Sequence, residues 1–141
     1  MKIAVDFDGT VVDHRYPEIG EEMLFAFDTL KALQKQGHDL ILWTFRAGKE
    51  LKEAVDFCKK NGLEFYAVNR SYPEEKYDDS ISRKIDADLF IDDRNIGGFP
   101  GWSQVWQMLN PGSEETFYNE YDSILKNPNK TVGNRIKGLF K

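Results

Sequence analysis

Two carboxylates one residue apart, Asp6 and Asp8, follow Ile3-Ala4-Val5, an apolar run of the kind that forms a central parallel strand. Asp8-Gly9 alone is a common turn dipeptide and could simply close the strand. Asp6 is harder to place. An isolated ionised carboxylate is costly to bury, so it needs a cation, a cradle of hydrogen bonds or an exposed strand end. A second acidic pair, Asp92-Asp93, ends another apolar run, Thr44 ends a third, and Lys84 stands eight residues before Asp92. Like charges about 4 Å apart repel by about 4 kcal/mol at an effective dielectric of about 20, so acids gathered at one place require something positive among them. Mg²⁺, a hard cation that takes oxygen ligands, suits them. Zinc suits them less, because His14, His38 and Cys58 have no partners at ligand spacing. A metal, a carboxylate nucleophile and donors for phosphoryl oxygens are the parts that phosphoryl transfer requires, since that reaction needs little beyond positioning and charge stabilisation.

These residues have to be positioned by elements, and the apolar spacing supplies them. KIAVDF reads as a first strand, DLILWT (39 to 44) as a second, EFYAV (64 to 68) as a third and ADLFID (87 to 92) as a fourth. Between them, Met23, Phe27, Leu30 and Leu33 recur at helical intervals within Glu21 to Gln36, with Gly37 placed to end the helix. Leu51, Ala54, Val55 and Cys58 share one helical face within 49 to 60, with Gly62 as the stop. Residues 102 to 109 and 114 to 125 complete the helical segments. Strand-helix alternation of this kind predicts an α/β fold, a doubly wound, Rossmann-like parallel sheet sandwiched by helices. In such a sheet the crevice lies beyond the carboxyl ends of the strands, which is where Asp6, Asp8, Thr44, Asp92 and Asp93 stand.

A length of 141 residues suits one domain, expected over 1–125, and 40% hydrophobic residues suit a globular core. No apolar run approaches the roughly 18 residues of a membrane helix. Lys2 leads straight into a strand without a secretory apolar region, so the expected compartment is the cytoplasm, with no membrane partner. Cys58 cannot form an intramolecular disulfide and reads as a packed thiol. The formal net charge of −5 argues against a protein that coats nucleic acid. Lys126, Lys130, Arg135, Lys137 and Lys141 nonetheless give residues 126–141 a charge of +5 with no acid among them, a basic tail.

DFDGT at 6 to 10, Thr44, Lys84 and FIDD at 90 to 93 together resemble, in order and spacing, the haloacid dehalogenase superfamily, its DxDGT phosphatase branch in particular. The resemblance covers residues 1 to about 100 and implies a Mg²⁺-dependent phosphatase acting through an aspartyl-phosphate. By it, Asp6 is the nucleophile and a metal ligand. Asp8 is the general acid and then base, its backbone carbonyl also on the metal. Thr44 bonds a phosphoryl oxygen, Lys84 offsets charge with Lys76 as its rival, and Asp92 and Asp93 complete the metal set. Gly9, Thr10, Phe45, Arg46 and Arg94 are the substrate-binding candidates, arginine being suited to bidentate phosphate recognition. His14 and Arg15 are further candidates for substrate contact, against a plain reading as solvated loop. The insertion points at 11–22 and 69–83 are too short for a cap domain, so a capless member is expected. The partner implied is a phosphorylated substrate, nucleic acid only in that capacity.

Other readings remain open at this point: a non-catalytic or regulatory phosphate- and metal-binding module on the same scaffold, or a phosphotransferase to an acceptor other than water. A response-regulator receiver uses similar parts, but it phosphorylates an Asp after its third strand, where this chain has Val68-Asn69-Arg70.

Overall fold

In the computed structural model, which describes residues 1–113, the apolar runs form four short strands, β1 (Lys2–Val5), β2 (Asp39–Leu42), β3 (Ala67–Val68) and β4 (Leu89–Ile91). Three helices accompany them, α1 (Ala26–Lys35), α2 (Gly48–Lys60) and α3 (Trp102–Leu109). All strand pairs are parallel and the order across the sheet is β3-β2-β1-β4. The chain therefore steps outward from β1 to β2 to β3, then returns past β1 to lay β4 on its other side. This is the doubly wound α/β arrangement expected from the sequence, and it puts the switch point between β1 and β4.

Alternation along β1 divides the core. Ile3 and Val5 join Leu40, Leu42 and Ile91 in the larger cluster, which takes Phe27, Leu30 and Leu33 of α1, Ala54 and Cys58 of α2, and Trp102 and Val105 of α3. Ala4, on the opposite face, packs with Ile41, Ala67 and Ile85. Right-handed crossovers put α1 and α2 on one face and the return from β3 to β4 on the other. Among the described residues, that return (69–88) is irregular chain anchored by buried Ile85.

The helices stop where glycine allows them to. After α1, Gly37 (φ 88°) donates to Gln34 O and His38 to Leu33 O; after α2, Gly62 (φ 79°) donates to Lys59 O and Leu63 to Cys58 O. Both are Schellman endings, which require a left-handed residue at that position. Helix α1 begins at Ala26 rather than Glu21, because 21–23 is recruited by the loop after β1. Asp13 N donates to Glu21 O (2.8 Å), Met23 N to Val11 O (2.9 Å), and Phe25 turns left-handed (φ 64°) before the helix. Strand β3 is shorter than the 64–68 expected, and β4 is trimmed at both ends. The expected helix at 114 to 125 and the basic tail at 126–141 lie outside the described residues. The connections 6–25 and 69–88 carry no helix or sheet strand of their own. No helix among the described residues is long and apolar enough to cross a membrane. Cys58 is fully buried, and burial pushes its thiol up to about 12, as befits a packing residue.

Candidate functional site

Val5 lies in register with Ile91, and Asp6 N extends that ladder by donating to Ile91 O at 2.9 Å. The first residues past the two strands, Asp6 and Asp92, are thereby brought side by side at the switch point. Oxygens of Asp6, Asp92 and Asp93 lie within 4.8 Å of one another. Asp6 and Asp92 line a cleft of about 520 Å³, together with Asp8 and Thr44, and Asp93 stands behind them.

The three acids are held in different ways. Asp6 is half-buried, accepts from Thr10 Oγ1 (3.2 Å), and has its carboxyl raised from 3.8 to about 7, first by burial and then by the charge of Asp92. Asp92 Oδ1 accepts from Arg94 N at 2.8 Å. Asp93 lies below its ordinary value: burial pushes it up, but the interaction with His14 and the neighbouring acids outweighs that. Its Oδ2 is 2.7 Å from His14 Nε2, while its Oδ1 is buried without a hydrogen-bond partner. An orphaned buried carboxylate oxygen, beside two more carboxylates of which one is driven toward protonation, is a donor set that could hold a hard divalent cation. The residues present fit Mg²⁺.

Asp8 is engaged elsewhere. Arg46 Nε and Nη2 donate to its two oxygens, both at 2.7 Å, in a bidentate pair with the Arg46 side chain fully buried and that of Asp8 13% exposed. The same guanidinium donates to Pro17 O (2.9 Å) and Glu18 O (2.7 Å) and lies between the rings of Phe7 and Tyr16, at 5.1 and 5.2 Å. Arg46 is thus a clamp between Asp8 and the 13–20 loop, and every contact it makes is internal. It has no free edge for a substrate phosphate, contrary to the expectation from sequence. The side chain of Asp8 likewise does not join the acidic trio.

Thr44 is held with its hydroxyl available. Its N–H donates to Asn69 Oδ1 (2.8 Å), and its Oγ1 accepts from Arg46 N (3.1 Å), leaving the hydroxyl hydrogen to donate into the cleft. Asn69, left-handed at φ 51° just past β3, was not singled out from sequence, although the strand-end rule that selects Thr44 also selects it. Thr10 is fully buried and serves Asp6, and its own carbonyl accepts from Trp102 Nε1 at 2.8 Å. It supports the site rather than touching a substrate. Gly9 (φ 86°) is required for space, since a Cβ there would collide with Asp93 Oδ2 and the His14 ring. His14 lines the cleft, as do Phe45 and Arg94, whereas exposed Arg15 does not.

Lys84 is not brought to the acids. It is exposed, with Nζ 5.7 Å from the centre of the Phe90 ring, on the face of β4 opposite its neighbour Ile91. Lys76 is exposed on the same 69–88 connection and does not line the cleft either. Among the described residues, the cations beside the cleft are instead Arg46, paired with Asp8, and Arg94, which lines it.

No family model and no curated protein matches the sequence. Among solved structures, a conserved protein from Bacteroides thetaiotaomicron is 59% identical, over 77% of this chain and 88% of that one, with a TM-score of 0.74.

Proposed function

The chain belongs to the family of that conserved Bacteroides thetaiotaomicron protein, and from its own site we propose that it is a Mg²⁺-dependent phosphatase of the haloacid dehalogenase type. The observation that carries this reading is the meeting of Asp6, Asp92 and Asp93 beside Asp8 and Thr44 at the switch-point cleft. Asp6, Asp92 and Asp93 would hold the cation, which when bound supplies positive charge to the acids and to the phosphate oxygens.

The residues divide the remaining work. A carboxylate oxygen of Asp6, kept in orientation by Thr10, attacks phosphorus, and the bond from phosphorus to the leaving oxygen breaks. Thr44 donates to a phosphoryl oxygen. Asp8 gives a proton to the leaving oxygen, then removes one from the water that attacks the phosphorylated Asp6, releasing phosphate and regenerating both carboxyls. At rest, Asp8 accepts two bonds from Arg46, the arrangement of an ionised carboxylate. Its acid role therefore requires a proton that arrives with the phosphate monoanion or from solvent as the site fills, while Arg46 keeps the carboxyl aimed.

The test compares wild type with Asp6→Asn on p-nitrophenyl phosphate, with and without Mg²⁺. Metal-dependent turnover that falls by at least about a thousandfold in the variant is expected. Equal rates would remove Asp6 as the nucleophile, and no turnover with the metal bound would leave the site a binding module.

A further inference from the structure

Above the acidic floor, the cleft is walled by three aromatic side chains, Tyr16, Trp43 and Phe45. Phe45 is 91% exposed and Tyr16 53% exposed. An exposed phenylalanine alone is ordinary, but this one lines the cleft on a segment that is pinned on both sides. Its neighbours are fixed on both sides: Thr44 by Asn69 Oδ1, and Arg46 by its bonds to Asp8, Pro17 and Glu18. Tyr16 is fixed as well, one face of its ring covering the Arg46 guanidinium at 5.2 Å. Two aromatic rings therefore stand at the mouth beside the network that sets Asp8 and Thr44, as in a preorganised binding surface.

The cleft thus offers oxygen ligands and a hydroxyl at its floor and π faces at its mouth. A sugar or short-chain phosphate would leave the rings wet, whereas a planar base covers them by stacking. The rings stand out toward solvent rather than down among the carboxylates. A ring bonded directly to the phosphate oxygen would sit beside Thr44, while a base one sugar further from phosphorus reaches the mouth. Resting on the phosphatase reading, we infer that the substrate is a nucleoside monophosphate whose base stacks on Phe45 with Tyr16 beside it.

Adenosine 5′-monophosphate and ribose 5-phosphate share the same leaving alkoxide and differ in the base alone, so their comparison isolates the stacking. With Mg²⁺, wild type is expected to show kcat/KM about tenfold higher for the nucleotide. Phe45→Ala collapses that ratio, and Phe45→Tyr, which keeps a ring, preserves it. A wild-type ratio near one, or a ratio unmoved by Phe45→Ala, overturns the inference. If wild type turns over neither ester, the phosphatase reading is judged on p-nitrophenyl phosphate, and calorimetric titration of the two onto the wild-type protein judges the stacking separately. Affinity about tenfold tighter for the nucleotide then supports it, and equal affinity overturns it.

Discussion

Asp6→Asn is expected to make the metal-free protein more stable while removing the proposed phosphatase activity. The Asp6 carboxyl is raised from 3.8 to about 7, burial acting first and the Asp92 charge second. Between those two values the folded protein keeps a proton that the unfolded chain has lost. Stability is therefore full below the unfolded value, declines as pH rises toward about 7, and is level above it. At 1.36 kcal/mol per unit, a shift of that size corresponds to about 4 kcal/mol. Half-burial and solvent screening reduce this to about 2 kcal/mol. Asparagine has nearly the shape of aspartate, can still accept from Thr10 Oγ1, and carries no charge to repel Asp92. Urea unfolding in chelator should show variant and wild type drawing apart from about pH 4 to about pH 7, the variant ahead by about 2 kcal/mol at the upper end. Saturating Mg²⁺ should close the gap by stabilising wild type more. A variant less stable than wild type at the higher pH, or a gap that ignores pH, would refute the argument that Asp6 is held against its own electrostatics for a cation.

Three further outcomes follow from the same geometry. Because a proton competes for Asp6, Mg²⁺ affinity should rise with pH up to about 7 and then level, with proton release visible in calorimetry across buffers of different ionisation heat. Arg46→Lys should cost about 3 kcal/mol by thermal or urea unfolding, since lysine cannot span both Asp8 oxygens and the carbonyls of Pro17 and Glu18. A double-mutant cycle with Asp8→Asn should show strong coupling. Gly9→Ala should lose about 1–3 kcal/mol from its left-handed backbone and weaken Mg²⁺ binding several-fold, because the new methyl group pushes His14 off Asp93. Unchanged Mg²⁺ affinity there would break the link between the 13–20 loop and the metal site.

What could be read ahead of the coordinates was whatever periodicity and topology control. α2 and α3 fall where their apolar spacing puts them, because each buries a single face in the main core and ends just ahead of a breaker, Gly62 after α2 and Pro111 after α3. The acids at 6, 92 and 93 meet because parallel strands in register deliver their ends to one edge, whatever lies between them in sequence. Loop side chains obey no such rule. Arg46 follows a strand end just as a phosphate-binding arginine would, and nothing in TFRAG indicates that a loop 28 residues earlier will supply two carbonyls and fold it inward onto Asp8. Lys84 shows the same limit from the other side. A lysine eight residues before an acidic pair is close to it only if the intervening chain runs toward the strand ends, whereas here the chain climbs β4 from below and leaves the lysine beside Phe90. Where a motif residue sits on a strand end, its destination follows from hydrogen-bond register. On a loop, the destination depends on the competition among donors and acceptors for burial, and in this site the buried carboxylate of Asp8 and two loop carbonyls claimed the arginine that a substrate would otherwise have met.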